Sequence, residues 1–283
     1  MNAAKAIRAA AERLSATSDT ARLDAEMLMA HLLGVSRSEL LLHRMADACP
    51  PDFTTLVERR LAHEPVAYIT GRQEFFGLSL TVSPAVLIPR GDSEVLVEAA
   101  LAAQPQARRV LDCGTGSGAL LLAVLNSLPS AEGIGIDRSG AALAVARANA
   151  EGLGLSSRAE MRGGDWTREG WAEALGRFDL VLANPPYVES GAALDRSVRE
   201  YEPAAALFAG ADGLGDYRVL VPQLSALLAP GGTALVEIGA SQAEAVSALA
   251  AAAGLAASLH HDLAGRARVL ELKIPLVKGG HNA

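Results

Sequence analysis

The chain has 283 residues, half of them hydrophobic and 20% charged, which is enough to bury one substantial core and a second, smaller one. Its formal net charge of −7 at pH 7 argues against a protein whose affinity comes mainly from neutralising phosphate groups. Because the two cysteines, Cys49 and Cys113, and the six histidines match no metal-ligand spacing, we expect a reduced protein without a bound metal.

Residues 1–70 predict a small helical domain. Leu23, Met27 and Ala30 recur at spacings of 4 and 3, which is a helical period. The segment from Ser36 to Glu39 has the pattern of a capping box. This region contains no catalytic pattern, so we expect it to recognise a substrate. The N-terminus also lacks the apolar core of a signal peptide, and we expect a cytoplasmic protein that does not associate with membranes.

Residues 71–90, "GRQEFFGLSLTVSPAVLIPR", are rich in β-forming residues and predict a β-hairpin linker. From residue 91 to residue 283, seven strand-like segments alternate with helical ones. This alternation predicts an α/β domain with a mostly parallel sheet and helices on both faces. In such sheets, ligands bind at the carboxyl ends of the strands, so the residues that follow each strand are the candidate site.

The first three predicted strands of this domain end in residues that suit a nucleoside. The first strand continues into a glycine-rich loop, "DCGTGSG" from Asp112 to Gly118, which brings the backbone close to a ligand at a helix N-terminus. Its spacing differs from the G-x-G-x-x-G of dinucleotide sites. The second strand ends in Asp137, which can accept from two ribose hydroxyls, and the third ends in Asp165-Trp166, an acceptor for an adenine amino group beside a stacking ring. The loop has no phosphate-binding lysine, so we expect a cofactor without a phosphate chain. S-adenosylmethionine fits these residues.

The fourth strand, "FDLVLA", is followed by Asn184-Pro185-Pro186-Tyr187. Proline has no amide hydrogen and fixes its own φ, and the residue before a proline is held extended. The side-chain oxygen of Asn184 and the carbonyls of Asn184 and Pro185 therefore stay available as acceptors. Such a stiff tip is suited to holding an NH2 group.

Together these segments resemble the class I S-adenosylmethionine methyltransferases, and among them the N5-glutamine methyltransferases that modify translation release factors. The resemblance covers nearly the whole chain, with "LAHEPVAYITGRQEFFGLSLTVSPAVLIPR", "LDCGTGSGALLLAV", "GIDRSGAALAVARANA", "NPPYV" and "LVEIGASQ" as its main segments. It implies a Rossmann-like sheet, S-adenosyl-L-methionine as cofactor, and class 1 peptide chain release factors as partners, without direct contact to nucleic acid. The implied reaction is methylation of the glutamine in their Gly-Gly-Gln motif.

The strand ends and the resemblance together predict the site residues. The cofactor-binding residues are expected to be Asp112, Gly114, Thr115, Gly116, Ser117, Gly118, Asp137, Asp165, Trp166 and Asn184. The catalytic residues are expected to be Asn184, Pro185, Pro186 and Tyr187. In this interpretation, the Asn184 side-chain oxygen and the Pro185 carbonyl hold the two amide hydrogens of the substrate, and Tyr187 packs against the amide plane.

Two alternatives stay open from the sequence. Adenine-N6 methyltransferases that act on nucleic acid also use Asn-Pro-Pro-Tyr, although they normally need a cationic groove and a flipped base. A glutamine methyltransferase that acts on a ribosomal protein would share the catalytic domain. The chain also departs from the family pattern at Gly91, where a proline is usual, and at Cys113, where a larger aliphatic residue is common. The loss of the rigid proline predicts looser cofactor binding.

Overall fold

The computed structural model describes residues 1–275, and these form two compact units. The first unit contains residues 1–72, 82–84 and 194–202. The second contains residues 73–81 and 85–193 together with the described residues from 203 onward. The predicted domain 91–283 extends into residues 276–283, which lie outside the described residues.

The helices of the described chain are α1 (Ala3–Leu14), α2 (Ala21–Leu33), α3 (Arg37–Glu39), α4 (Phe53–Leu61), α5 (Val66–Thr70), α6 (Glu94–Ala103), α7 (Ala119–Ser127), α8 (Gly140–Gly152), α9 (Arg196–Tyr201), α10 (Gly215–Leu220), α11 (Leu224–Leu227) and α12 (Ala243–Ala252). Short π or 3₁₀ segments cover Leu40–Arg44, Gly91–Ser93, Ala204–Ala206 and Val221–Gln223. The strands are β1 (Arg72–Phe75), β2 (Leu78–Thr81), β3 (Arg109–Cys113), β4 (Glu132–Asp137), β5 (Ala159–Gly163), β6 (Phe178–Ala183), β7 (Leu228–Glu237), β8 (Ala256–His261) and β9 (Ala267–Lys273). Within residues 1–275, no helix has the length and apolar character needed to cross a membrane.

The first unit is helical and has a hydrophobic core of its own. This core includes the buried side chains of Ala6, Ile7, Leu14, Leu28, Met29 and Phe53. The predicted cap is present, because the Ser36 hydroxyl accepts a hydrogen bond from the Glu39 amide at 3.1 Å. The segment 194–202 also belongs to this unit, and the Tyr201 hydroxyl donates to the Ala62 carbonyl at 2.8 Å. Helical periodicity predicted the helices near the N-terminus. It did not predict that residues 194–202 belong to the same unit.

The second unit contains most of the two-stranded β1–β2 sheet and a seven-stranded sheet built from described residues. The order of the larger sheet is β5-β4-β3-β6-β7-β9-β8. Neighbouring strands are parallel except at β9, which runs antiparallel to β7 and β8. The predicted Rossmann-like α/β fold with a mostly parallel sheet is therefore confirmed.

Helices cover both faces of this sheet, because alternate residues of each strand point to opposite sides. Val110 and Leu180 belong to a core with α6, α7 and α8, whereas Leu111 and Val181 belong to a core with α10, α11 and α12. The helical segment that begins at Gly215 is divided into α10, a 3₁₀ turn and α11. The division falls at Pro222, which has no amide hydrogen to continue the helical ladder.

Gly133 in β4 allows α7 to pack closely on the sheet. A Cβ atom at this position would lie 2.5 Å from Leu121 Cδ1 and 3.3 Å from the Val110 carbonyl oxygen. Leu121 is fully buried, so its side chain has little room to move aside. The glycine therefore sets the position of α7 and of the loop that precedes it.

We predict that Gly133→Ala lowers the free energy of unfolding of the second unit by about 1–3 kcal/mol, as overpacking substitutions do. Gly152→Ala in α8 is the matched control, because a Cβ there meets nothing within 4 Å and alanine favours a helix by about 0.5–1 kcal/mol. Both tryptophans, Trp166 and Trp171, lie in the second unit, so denaturant titration followed by tryptophan fluorescence reports its unfolding. An unchanged midpoint for Gly133→Ala would contradict the close packing.

Candidate active site

A cavity of about 220 Å³ opens at the carboxyl end of the parallel strands. Strand β3 lies in the middle, with Cys113 paired to Ile136 of β4 on one side and to Ala183 of β6 on the other. The order of the strands along the chain reverses at β3, and open α/β sheets bind ligands at such a reversal. The residues that follow β3, β4 and β6 therefore meet at the cavity.

The loop Gly114–Gly118 connects β3 to α7 and has a backbone that requires glycine. Its three glycines have φ angles of 77°, 55° and 84°, which residues with a side chain rarely adopt. The amides of Gly114 and Thr115 donate to the Ile136 carbonyl at 2.9 and 2.8 Å, so the loop is tied to β4. A Cβ at Gly114 would lie 3.0 Å from the ring of Trp166. The first four residues of the loop thus line the cavity beside an aromatic ring.

Asp112 lies beneath this loop and does not line the cavity. Its side chain is 1% exposed, and Oδ2 accepts a hydrogen bond from the Thr115 hydroxyl at 2.7 Å. The other oxygen, Oδ1, has no partner among the described residues. Burial raises the pKa of Asp112 to about 7. The structure therefore places Asp112 as a support of the loop, and Gly118, at the start of α7, also lies outside the cavity wall.

Asp137 follows the buried part of β4 and lines the cavity. Its carboxylate accepts hydrogen bonds from the backbone amides of Gly116 at 3.0 Å and Ser139 at 2.8 Å, one on each oxygen. Each oxygen retains a further lone pair. The backbone thus holds the carboxylate in place while it can still accept from two hydroxyl groups in the cavity.

Asp165 and Trp166 follow β5 and form another part of the wall. Asp165 Oδ1 accepts from the hydroxyl and the amide of Thr167 at 2.6 and 3.0 Å. The bond from the hydroxyl is the main reason that the pKa of Asp165 is lowered. Trp166 Nε1 donates to Asp216 Oδ1 at 3.2 Å, which fixes the plane of the indole ring. This corner of the cavity therefore offers an ionised acceptor beside a flat aromatic face.

Asn184 follows β6 and lines the cavity together with Pro186. Its Nδ2 donates to the Ser93 hydroxyl at 3.4 Å. Within residues 1–275, neither Asn184 Oδ1 nor the Pro185 carbonyl accepts a hydrogen bond. The Pro185 carbonyl stays free because the two prolines bring no amide hydrogens to the tip.

Tyr187 and Pro185 do not line the cavity. The Tyr187 hydroxyl donates to Glu237 Oε1 at 3.4 Å, and the Tyr187 carbonyl accepts from Gln242 Nε2 at 3.1 Å. Burial raises the pKa of Tyr187 to about 12, so its hydroxyl stays protonated at neutral pH. The structure therefore places Tyr187 behind the tip, as its anchor.

Several residues of the cavity wall were not predicted from the sequence: Phe75, Ala85, Leu87, Pro89, Ser93, Ala119, Leu120, Arg138, Ser139, Ala142, Gly164, Pro203, Ala205 and Ala206. The guanidinium of Arg138 donates to the Ala205 carbonyl at 3.0 Å, which ties the segment 203–206 to the end of β4. Residues 85–89 could have been identified from the sequence, because they lie in the segment before the glycine loop that resembles the family. That segment contains no polar pattern of its own, and only folding brings it to the ends of the strands.

Neither cysteine lines the cavity. Cys113 is fully buried in β3, and burial raises the pKa of its thiol, so it is not a nucleophile at neutral pH. In the part of the chain that the structure describes, no group of three or more His, Cys, Asp or Glu side chains is arranged to hold a metal ion. The cavity instead offers a glycine backbone, two carboxylates and an indole ring. These groups fit the adenosyl part of S-adenosylmethionine, and a Cβ at Gly114 would fill the space beside the ring.

Comparison with known proteins agrees with this fit. Residues 5–71 match the family described as the PrmC N-terminal domain, and residues 105–262 match a methyltransferase domain. A release factor glutamine methyltransferase of Cereibacter sphaeroides is 44% identical to this chain over an alignment that covers 97% of the chain and 99% of the relative. Proteins of the same name from Caulobacter vibrioides and Geobacter sulfurreducens are 43% and 44% identical. Their alignments cover 88% and 81% of this chain, and 88% and 80% of their own lengths.

The identity extends through both units, and S-adenosylmethionine is the methyl donor that the methyltransferase domain uses. The chain therefore belongs to the family of release factor glutamine methyltransferases.

Proposed function

We propose that this enzyme transfers a methyl group from S-adenosylmethionine to the side-chain amide nitrogen, N5, of the glutamine in the Gly-Gly-Gln motif of class 1 translation release factors. The names of the relatives support release factors as its substrates. The observation that carries the proposal is the pair of free acceptors at the tip, Asn184 Oδ1 and the Pro185 carbonyl. A primary amide has two hydrogens, and two acceptors held on one rigid tip match them.

Cofactor binding is assigned to the cavity wall. The backbone of Gly114–Ser117 would lie against the cofactor, Asp137 would accept from the ribose hydroxyls, and Asp165 with Trp166 would hold the adenine ring. Asp112 and Gly118 contribute through the loop that they support. When bound, S-adenosylmethionine supplies a methyl group attached to a positively charged sulfur.

An amide nitrogen is a weak nucleophile, because its lone pair is delocalised into the carbonyl group. The tip residues compensate for this weakness. Asn184 Oδ1 and the Pro185 carbonyl accept the two hydrogens, direct the nitrogen toward the methyl group and stabilise positive charge that develops on nitrogen as the new N–C bond forms. The nitrogen then loses one hydrogen to water as a proton, so no side-chain base is required. Pro186 forms the wall beside the amide.

Tyr187 anchors the tip through its own contacts, and the packing of its ring against the substrate amide stays a prediction. Its hydroxyl and its carbonyl are both bonded to groups of the protein. A tip held at both ends loses little freedom when the substrate binds, which favours the reactive geometry. A narrow tip also requires the neighbouring substrate backbone to come close, and two glycines before the glutamine remove side chains that would collide.

Substrate recognition is assigned to the helical domain 1–70, with residues 71–90 as a connecting hairpin and 91–283 as the catalytic domain. The helical domain has exposed apolar side chains at Leu23, Met27, Leu41 and Leu42, which suit contact with another protein. Because the proposed substrate acts in translation, we place the enzyme in the cytoplasm, with neither a membrane nor a nucleic acid as a direct partner.

Asp137→Ala should weaken S-adenosylmethionine binding by about 1–3 kcal/mol, the usual effect of removing a charged hydrogen-bond acceptor. Asp179→Ala is a matched control, because Asp179 also accepts from two backbone amides, those of Arg108 and Arg109 at 2.8 and 2.9 Å. It does so near the amino end of β6, away from the cavity. Titration calorimetry measures both affinities. An equal loss in the two variants, or no loss in Asp137→Ala, would remove Asp137 from the cofactor site.

Asn184→Ala should lower turnover at least about a hundredfold while cofactor affinity stays close to that of the wild type, because the lost acceptor acts mainly in the transition state. The measurement pairs steady-state methylation with calorimetric binding of the cofactor. Near-normal turnover would refute the acceptor role of Asn184. A loss of cofactor affinity as large as the loss of turnover would instead assign Asn184 to cofactor binding.

The substrate is tested with radiolabelled cofactor and four acceptors in parallel. These are a class 1 release factor, the same factor with the glutamine of its Gly-Gly-Gln motif changed to alanine, purified ribosomal proteins, and DNA. We expect label on the first acceptor alone, since only it presents a primary amide beside two glycines. Label on the alanine variant, or preferential label on ribosomal protein or DNA, would reject the proposed substrate and favour one of the two alternatives.

A further inference from the structure

The segment Gly91–Ser93 is a 3₁₀ turn that brings Ser93 into the cavity wall. The buried Ser93 hydroxyl accepts a hydrogen bond from Asn184 Nδ2 at 3.4 Å. Inside the turn, the Ser93 amide donates to the Arg90 carbonyl at 3.0 Å. Gly91, at the start of the turn, has no side chain to restrict the backbone. Contacts from outside the turn are therefore needed to fix it in the wall.

The outside contact is an ion pair between Asp92, in the middle of the turn, and Arg268 in β9. The guanidinium of Arg268 lies 2.5 Å from Asp92 Oδ2, and the guanidinium of Arg266 lies 3.5 Å from the same oxygen. Strand β9 runs antiparallel to β7, so its first residues lie at the carboxyl ends of the parallel strands, where the cavity opens. The direction of β9 therefore brings Arg268 within reach of the turn.

Both arginines are held by the connection between β8 and β9. Asp262 in this connection accepts from the backbone amides of Ala264 and Arg266, both at 2.9 Å. It also accepts from the guanidinium groups of Arg266 at 2.7 Å and Arg268 at 3.3 Å. The Arg268 carbonyl accepts from the Ile238 amide at 2.8 Å, and its side chain is 12% exposed. Arg268 is thus a well-fixed partner, largely shielded from water, for the turn.

We propose that Asp92 and Arg268 are positioning residues of the cofactor site, whose ion pair holds the Gly91–Ser93 turn in the cavity wall and replaces the rigidity of a proline at position 91. Without the pair, a turn that begins with glycine samples other conformations, and cofactor binding has to order it at a cost in conformational entropy. The pair thus offsets the looser cofactor binding that the missing proline predicts. The inference concerns S-adenosylmethionine alone and does not rest on the proposed substrate.

The backbone at position 91 is compatible with proline, which makes the inference testable. Arg90 has φ −105° and ψ 145°, the extended conformation that a residue before proline adopts. Gly91 is not among the glycines with a positive φ, and a Cβ at this position meets nothing within 4 Å. Proline is also well tolerated at the first position of a helical turn, since the amide there has no partner within the turn. Gly91→Pro should therefore fix the turn without the ion pair.

The test measures the affinity for S-adenosylmethionine by titration calorimetry and the thermal midpoint of the unliganded, full-length protein. Arg268→Gln and Asp92→Asn each break the ion pair, and a third protein carries both changes. Gly91→Pro is made alone and together with Arg268→Gln. Glu160→Gln is the control for loss of a paired carboxylate, because Glu160 lies 2.5 Å from Arg162 in β5 and neither residue lines the cavity.

We expect Arg268→Gln and Asp92→Asn each to weaken cofactor binding about three- to tenfold, because a partly shielded pair contributes more than an exposed one. The double variant should lose no more than Asp92→Asn alone, since the same interaction is removed. Gly91→Pro alone should leave the affinity nearly unchanged. Combined with Arg268→Gln, it should restore the affinity to within about twofold of the wild type. Glu160→Gln should bind the cofactor as the wild type does.

A second combination separates positioning from overall stability. Gly152→Ala adds helix stability in α8, because a Cβ there meets nothing within 4 Å, and Gly152 does not line the cavity. Together with Arg268→Gln, it should raise the thermal midpoint without restoring cofactor affinity. Equal recovery of affinity from Gly152→Ala and from Gly91→Pro would show that Arg268 acts through stability, and would overturn the inference.

Wild-type affinity in Arg268→Gln would overturn the inference, as would losses in Arg268→Gln and Asp92→Asn that add in the double variant. If Gly91→Pro lowers the thermal midpoint, Gly91→Ala takes its place, because alanine also narrows the conformations of the free turn and should recover part of the affinity. No recovery with either substitution would likewise reject the role of the pair. None of these measurements uses a methyl acceptor, so a failure of the proposed substrate is detected separately.

Discussion

The parallel pairing of β3 with both β4 and β6 is the constraint on which the site depends. Cys113 opposes Ile136 on one side and Ala183 on the other, so the three strands end at the same level. The glycine loop, Asp137 and Asn184 are distant in the sequence, and this register alone makes them neighbours. Since the backbone amides of the loop also bond to the Ile136 carbonyl and to Asp137, the cavity wall is part of the hydrogen-bond network of the sheet.

Two buried carboxyl groups support the site from below, and each has one oxygen without a partner among the described residues. Asp112 holds the glycine loop through Thr115, and Glu237 contacts the tip through Tyr187. Burial raises the pKa of both groups to about 7, so the folded protein binds their protons more tightly than the unfolded chain does. Their favourable contribution to stability is fully present below the unfolded pKa of about 4 and is lost as pH rises through about 7. The enzyme thus gives up stability at neutral pH for polar groups that position the site.

The tip after β6 is held by contacts that leave its acceptors free. Gln242 donates to the carbonyls of Tyr187 and Gly213 at 3.1 and 3.2 Å and accepts from the Gly239 amide at 3.0 Å, so one side chain joins three loops. The chain immediately after the tip is bound too, since the Val188 amide donates to the Leu207 carbonyl at 2.8 Å. With both flanks fixed and two prolines between them, the free acceptors can keep one geometry before the substrate arrives.

The sequence by itself determined the features that depend on neighbours within a few residues. Alternating helical and extended patterns predicted the α/β fold, the spacing of glycines predicted the loop before α7, and the two prolines predicted a tip with free acceptors. The serine of the capping box at Ser36 was predicted for the same reason, because a cap involves residues only three apart. The division of the helical segment at Pro222 has a local cause as well, because proline has no amide hydrogen.

Only the tertiary structure decided which side chains face the cavity and which support it. Asp112 is buried beneath the loop and Tyr187 is partly buried and bonded to Glu237, although both occupy motif positions. Ser93 stands immediately before α6 but does not cap it, and its hydroxyl accepts from Asn184, which belongs to another strand end. Burial and hydrogen-bond partners of this kind depend on segments that are far apart along the chain. A local sequence pattern does not indicate which distant segment will pack against it.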